Sequence, residues 1–168
     1  MRKLIVGLST ALALLGSVPA VIAADVTITV TGQVVAKPCD IETTNANVDL
    51  GGIPTFSLAS AGAASDWKTV TLNLNNCPIG TSKVTATFAG TSDSTGSYFL
   101  NQGTATNVAV QLANSSGTNL SNGGSLTSQV DDSSLSTAFN LEVRAITPSG
   151  SATQGSITST INVTYTWQ

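Results

Sequence analysis

Apolar and polar residues alternate along most of the chain. The alternation is longest in the last segment, where one face carries Ile157, Ser159, Ile161, Val163, Tyr165 and Trp167. Shorter alternating runs cover residues 69–75, 84–88, 108–112 and 139–145, and segments rich in Gly, Ser, Thr and Asn separate them. A period of two is typical of half-buried strands. No long stretch has a helical period, although residues 57–65 could hold a helical turn, so the pattern predicts an all-β sandwich of immunoglobulin-like size.

The two ends of this pattern predict different roles. Near the start, Val26, Ile28, Val30 and Val34 share one face, with Gly32 in the same register. This segment is either the first strand of its own sheet, which alternation alone favours, or a strand that adds to an exposed sheet edge of another molecule. At the other end, Tyr165 and Trp167 are large apolar side chains next to the terminus, which predicts a buried chain end.

The first residues have the features of a secretory signal peptide. Arg2 and Lys3 precede an apolar stretch of 13 residues, 4–16, and small residues then lead to a predicted cleavage site after Ala23. The apolar stretch is shorter than the roughly 20 residues that a membrane-spanning helix needs. We therefore expect a signal peptide over residues 1–23, a mature chain that begins at Ala24, and no membrane span.

The charged residues exclude several kinds of partner. Without Arg2 and Lys3, four basic residues remain against nine acidic ones, a net charge of −5. Nucleic acids and anionic membranes both attract clusters of Lys and Arg, which this chain lacks. Charged residues make up only 9% of the chain, and Thr, Ser and Asn supply most of the polar surface. We predict a secreted protein that does not bind nucleic acid.

Catalytic and cofactor sites are not expected. The chain has no histidine, which excludes nucleophiles activated by histidine. Asp131 and Asp132 are adjacent, and neighbours in a strand point to opposite faces, so a solvated turn is the better interpretation. No set of oxygen ligands with calcium-loop spacing is present. We predict that the protein is not an enzyme and carries no cofactor or metal.

Cys39 and Cys77 are the two cysteines of the chain. After a signal peptide, a disulfide between them is the favoured interpretation. A metal site or a redox pair is the alternative, and both fit poorly because histidine and a Cys-x-x-Cys motif are absent.

A secreted carbohydrate-binding module is the alternative function. Its signature would be exposed aromatic side chains near loop tips, and Trp67, Tyr98 and Phe99 are the candidates. In a chain with eight aromatic residues these side chains belong more often to the core.

A series of short motifs, taken in order, resembles a known family. The motifs are residues 24–30 (ADVTITV), 34–39 (VVAKPC), 47–51 (NVDLG), 76–78 (NCP), 107–112 (NVAVQL) and 152–168. In addition, Gly155 is the fourteenth residue from the C-terminus and Trp167 is an aromatic penultimate residue. In these features the chain resembles the chaperone–usher pilins. Residues 56–58, 60–65 and 130–134 are most similar to the minor adaptor subunits of type 1 fimbriae.

The resemblance implies a fold and a mode of assembly. Such pilins have an incomplete immunoglobulin-like β-sandwich, completed by a strand that a periplasmic chaperone lends and the next subunit then replaces at an outer-membrane usher. Carried onto this chain, residues 24–36 are the donor strand and residues 37–168 the pilin domain. The inserted residues are Val26, Ile28, Val30, Gly32 and Val34, and the groove edge that also binds the chaperone comprises Gly155, Ile157, Ile161, Val163, Tyr165 and Trp167. The implied function is that of a structural subunit of a cell-surface fimbria that supports adhesion, with neighbouring subunits as partners.

One residue departs from the family pattern. The penultimate residue is usually tyrosine, and here it is Trp167, whose indole has an N–H donor and no hydroxyl. We expect the aromatic packing to be kept and a hydroxyl-specific contact to be lost.

Overall fold

The computed structural model describes residues 27–33 and 37–168. The chain divides between Val34 and Val35, and the two parts are therefore described separately. Residues 27–33 belong to no helix or strand. The predicted signal peptide, residues 1–23, and its cleavage site lie outside the described residues.

Residues 37–168 form two antiparallel sheets. The first contains five strands in the order β1-β2-β7-β5-β4, and the second contains three in the order β6-β3-β8. The strands are β1 (Asp40–Ile41), β2 (Lys68–Asn75), β3 (Lys83–Gly90), β4 (Phe99–Leu100), β5 (Ala109–Asn114), β6 (Ser125–Gln129), β7 (Thr137–Ile146) and β8 (Ile161–Trp167). A 3₁₀ helix, Thr55–Leu58, lies between β1 and β2.

The main core is formed by the inward side chains of both sheets. The five-stranded sheet contributes Leu72, Leu74, Phe99, Val110, Leu112, Phe139, Leu141 and Val143, and the three-stranded sheet contributes Val84, Ala86, Phe88 and Tyr165. These residues occupy alternate positions in β2, β3 and β7, as period two requires. A second cluster contains Leu58, Ala105, Val108 and Ala145 and lies beside the 3₁₀ helix.

Polar side chains on the outer faces pair across the strands. Thr85 and Thr127 lie opposite each other on β3 and β6, with their hydroxyl oxygens 2.8 Å apart. Thr71 of β2 donates a hydrogen bond to the amide oxygen of Asn140 of β7 at 3.1 Å. These cross-strand pairs explain how a chain with so few charges solvates its sheets.

A disulfide joins Cys39 to Cys77 and connects the start of the domain to the β2–β3 loop. The two cysteines are 38 residues apart in sequence and both are buried. For a loop of this length the chain-entropy model gives a stabilisation of about 4 kcal/mol.

The predicted all-β sandwich is confirmed, and the alternating runs at 69–75, 84–88 and 139–145 fall within β2, β3 and β7. The predicted helical turn at 57–65 overlaps the end of the 3₁₀ helix. The last strand is shorter than predicted, because the chain is not in a strand between Ile157 and Ile161. Among the described residues, no helix has the length and apolar character needed to cross a bilayer.

Candidate functional site

Strand β8 has a free edge. One side of the strand pairs with β3, and no strand of the described residues lies on its other side. Gln168 exchanges two backbone hydrogen bonds with Lys83, with N···O distances of 3.0 and 3.2 Å. Bonded and non-bonded pairs alternate in an antiparallel ladder, so the N–H and C=O groups of Trp167, Tyr165, Val163 and Ile161 point towards the free side.

The segment before β8 continues this free edge. The carbonyl of Ser156 accepts a hydrogen bond from the Ala105 N–H at 3.0 Å, and its N–H donates to the Thr104 hydroxyl at 2.9 Å. Thr158 is held in the same way: its N–H donates to Asn101 Oδ1 at 2.8 Å, and its carbonyl accepts from the Gln102 N–H at 2.7 Å. Because the backbone groups of residues 156 and 158 are bonded to residues 101–105, those of residues 157 and 159 point to the opposite side of the segment. Each of these two residues, 156 and 158, thus has one backbone and one side-chain partner in place of a regular ladder, and the strand begins only at Ile161.

Gly155 marks one end of this edge by its close approach to a neighbouring loop. A Cβ atom at this position would lie 2.6 Å from the carbonyl carbon of Thr104 and in contact with the backbone nitrogen of Ala105. Any side chain would therefore push the two segments apart. The glycine singled out from the sequence allows residues 101–106 and 153–158 to pack backbone to backbone.

An open cavity of about 650 Å³ runs beside this edge. Its floor is the core itself, and it consists of Val70, Leu72, Phe88, Val110, Leu112, Leu141 and Val143. One wall contains Gly155, Ile157, Ile161 and Val163. Ile157, Ile161 and Val163 are only half-buried, so the groove leaves part of the sandwich interior open to solvent.

The opposite wall is residues 46–53, whose place in the site is not predicted by the sequence. These residues line the cavity without forming a strand. Val48 and Leu50 are half-buried against the core, and the Gly51 N–H donates to the Asp49 carboxylate at 2.9 Å. Their short alternation was visible in the sequence, but only the long-range packing places them across from β8. The groove is therefore bordered both by β8 with the segment before it and by residues 46–53.

Tyr165 and Trp167 lie beyond the lined part of the cavity, at the other end of β8. The ring of Tyr165 packs against Phe139 with 5.8 Å between centroids, and burial raises the pKa of its hydroxyl above the usual value of 10.0. The indole nitrogen of Trp167 is buried and has no hydrogen-bond partner among the described residues. The side chain is half-buried against the core, in agreement with the expected aromatic packing.

The predicted donor residues are only partly covered by the structure. Val26 and Val34 lie outside the described residues. Ile28 and Val30 are 82% and 88% exposed, and a Cβ atom at Gly32 would meet nothing within 4 Å. Large aliphatic side chains that are this exposed on an alternating segment are available for burial elsewhere.

The residues considered for other chemistry have structural roles. Asp131 lies in a turn, and its pKa is lowered because its carboxylate accepts hydrogen bonds from the Ser133 hydroxyl and N–H and from the Ser134 N–H. The guanidinium of Arg144 lies 4.1 Å from the centre of the Trp67 ring and donates to Gln111 Oε1 at 2.8 Å. Phe99 is fully buried. Phe99 therefore offers no exposed ring for stacking on a sugar, and Arg144 covers one face of the half-buried Trp67 ring.

Comparison with known proteins identifies the family. The model of the family described as "Fimbrial protein" matches residues 28–168. The protein FimG of Escherichia coli K12 is 60% identical over 145 residues, which cover 86% of this chain and 86% of FimG. Among solved structures, the P pilus rod subunit PapA is similar with a TM-score of 0.65 at 19% identity, covering 79% of this chain and all of PapA.

A subunit from the structure of a chaperone–usher pilus superimposes with a TM-score of 0.67 at 20% identity, covering 90% of this chain and all of that one. These two likenesses confirm the predicted incomplete immunoglobulin-like sandwich. The open edge of β8, the family match and the relative at 60% identity lead to the same conclusion. The chain belongs to the fimbrial protein family and is a fimbrial subunit.

Proposed function

We propose that this subunit is an adaptor in a bacterial fimbria and that it joins its neighbours by strand donation. Its groove takes the N-terminal segment of one neighbour, and its own residues 24–36 fill the groove of another. The observation that carries the proposal is the free edge of β8 along an apolar cavity of about 650 Å³. An extended segment can supply the missing ladder hydrogen bonds there, while its alternate side chains enter the cavity.

The chemistry of the N-terminal segment fits this groove. Val26, Ile28, Val30 and Val34 share one face, and burying four such side chains contributes roughly 6–12 kcal/mol before ordering costs. The outward face of the segment consists of Thr27, Thr29 and Thr31, which suits a strand with one wet face.

An unoccupied groove explains the need for a chaperone. A free sheet edge next to exposed apolar side chains invites aggregation, and chaperone–pilin complexes are held by strand addition at such an edge. We propose that a periplasmic chaperone covers β8 and the cavity until the next subunit replaces it at an outer-membrane usher. Gly155, Ile157, Ile161, Val163, Tyr165 and Trp167 form the chaperone-binding edge.

The proposed division of the chain follows from these roles. Residues 1–23 direct export through the periplasm, residues 24–36 are the donor strand, and residues 37–168 are the pilin domain. The working location is the cell-surface fimbria, where the subunit supports adhesion. The role is structural and requires no catalytic site or cofactor.

Deletion of residues 24–36 tests the proposal in cells that assemble the fimbria. The deleted chain should still be exported and recovered with its chaperone, but it should be absent from purified fimbriae because it cannot enter the preceding groove. The matched control is the full chain carrying Thr27→Ser and Thr29→Ser, which leaves the inserted face unchanged and should assemble normally. Recovery of the deleted chain inside fimbriae, at the level of the control, would refute strand donation by this segment.

A further inference from the structure

Two apolar side chains of the pilin domain are far more exposed than the rest. Among residues 37–168, Ile79 is 92% exposed and Phe56 is 81% exposed, while the next large apolar side chain, Ile41, is 43% exposed. Single exposed apolar residues are common on protein surfaces and need no explanation by themselves. These two are of interest because they lie at opposite ends of the groove strand.

Phe56 lies at the glycine end of the groove, which we define by Gly155, Ile157 and Ala105. It belongs to the 3₁₀ helix Thr55–Leu58. Leu58 is buried in the small cluster with Ala105, and Ile53, just before the helix, lines the cavity together with Gly155. The helix is thus anchored on both sides of Phe56, and the phenyl ring points into solvent beside the glycine end of the groove.

Ile79 lies at the disulfide end, which we define by Cys39, Cys77 and Gln168. Ile79 follows Pro78 and is two residues after Cys77. It lies in a turn that is closed by a hydrogen bond of 3.0 Å from the Thr81 N–H to the Pro78 carbonyl. The same loop is fixed to the chain terminus by a hydrogen bond of 2.8 Å from the Ser82 N–H to the Gln168 carbonyl. Thr81 is buried and Ile79 points outward, so the turn presents one aliphatic side chain on a rigid base.

The direction of the donated strand determines which ends meet in the fibre. This step rests on the proposed strand donation. A donor strand parallel to β8 would leave the groove at the disulfide end. The receiving subunit's own residues 24–36 leave its domain at the same end. Both neighbours would then have to lie at one end of the subunit. A donor antiparallel to β8, like every other pair in these sheets, leaves at the glycine end. Only this arrangement gives a head-to-tail fibre.

The chain between donor and domain is too short to separate these ends. Val34, the last inserted residue, is five residues before Cys39, and five residues span at most about 17 Å. Cys39 is bonded to Cys77, two residues before Ile79. In the antiparallel arrangement, the donor leaves the groove at the glycine end, which is also the end where the helix of Phe56 lies. The disulfide end of one subunit must therefore lie against the glycine end of the other.

We propose that Phe56 of this chain packs against the turn after the second cysteine of the subunit that donates a strand to it, and that its own Ile79 packs against the segment equivalent to 53–58 of the subunit that receives its strand. This contact is a second interface between successive subunits, separate from the groove. It removes the two most exposed apolar side chains of the domain from water and limits bending at the junction.

Site-specific photo-crosslinking in assembled fimbriae tests this contact with the full chain. p-Benzoylphenylalanine is placed in turn at position 56, at position 79, at position 30 and at position 71, and crosslinked residues are mapped by mass spectrometry. Position 71 is an exposed control on the outer face of β2. Position 56 should crosslink to the turn after the second cysteine of one neighbour, and position 79 to the segment equivalent to 53–58 of the other, each several-fold above position 71.

Position 30 separates the two proposals. If position 30 crosslinks to the groove of a neighbour while positions 56 and 79 stay at the level of position 71, strand donation stands and the second interface is refuted. If position 30 gives no crosslink to a neighbour's groove, strand donation by this segment is refuted, and the junction contact, which depends on it, is refuted as well.

Discussion

Substitution of Val30 by aspartate gives the sharpest test of the groove, because the neighbouring Thr29 supplies a matched control. In a donated strand, Val30 points into the cavity and Thr29 points away from it. A peptide with the sequence of residues 24–36 should therefore bind the domain 37–168 in its native form and with Thr29→Asp, and should bind far more weakly with Val30→Asp. The two variants carry the same added charge, so they differ only in the face that carries it.

The size of the effect follows from burial. Loss of one buried valine costs about 1.5–3 kcal/mol, which corresponds to a rise in Kd of about 10- to 150-fold. The carboxylate adds to this loss, because the floor around it consists of aliphatic and aromatic side chains with no basic group among the lining residues. We therefore expect at least a tenfold weaker complex for Val30→Asp, while Thr29→Asp stays within about a factor of three of the native peptide.

Thermal unfolding measures the difference directly. Domain 37–168 is refolded with each peptide, and the midpoint Tm is followed by circular dichroism as a function of peptide concentration. At a peptide concentration of 100 times Kd, binding stabilises the fold by about 2.7 kcal/mol, which raises Tm by about 10 °C for a domain of this size. Equal shifts with both aspartate peptides would refute the inward orientation of Val30. A domain that unfolds cooperatively alone, and whose Tm is raised neither by this peptide nor by the N-terminal peptide of a neighbouring subunit, would refute the open groove.

Two further predictions concern the ends of the groove strand. Gly155→Ala should lower the free energy of unfolding of the peptide-filled domain by about 1–3 kcal/mol, because its Cβ meets the backbone of residues 104 and 105. The control is Gly52→Ala, which has open space at the Cβ and should leave the free energy of unfolding nearly unchanged. Urea unfolding measures both variants. Burial raises the folded-state pKa of Tyr165 above its unfolded value near 10.0, so the stability linked to this hydroxyl is present below pH 10 and is lost as the pH rises through that range. Tyr165→Phe should therefore flatten the fall of Tm above pH 10, and an unchanged profile would contradict the assigned burial.

The strands were predictable because one-sided burial leaves a period of two in the sequence. β2, β3 and β7 each have a buried inner face and a wetter outer one, and the alternation holds along most of each strand. Strand β5 shows the limit of this argument. Gln111 is the polar residue within the alternating run 108–112, a position that predicts a solvated outer face, yet it is 8% exposed. Arg144 of β7 hydrogen-bonds to it and stacks on Trp67, and such long-range cover leaves no local sequence signal.

The groove was predictable on one side only. The residues of its β8 wall could be named from their register and from the family resemblance. The 46–53 wall could not, because this segment forms no ladder and its place is set by contacts of Val48 and Leu50 with a distant core. The start of β8 was missed for a similar reason. The N–H groups of Ser156 and Thr158 donate to Thr104 Oγ1 and Asn101 Oδ1 and are not free for a ladder, although Ile157 keeps the apolar register of Ile161.

The four edge strands of the domain differ in length and polarity, and this difference indicates which edge binds a partner. Natural sheets protect their edges by making edge strands short or by placing charges and proline on them. In the five-stranded sheet both edge strands, β1 and β4, have two residues each, and in the three-stranded sheet β6 has five mostly polar residues. Strand β8 is different: it has seven residues, carries no charge and no proline, and directs Ile161 and Val163 into an open cavity. Three edges are thus limited by length or polarity and one is left long and apolar. Selection against aggregation would have removed that edge unless a donated strand normally covers it.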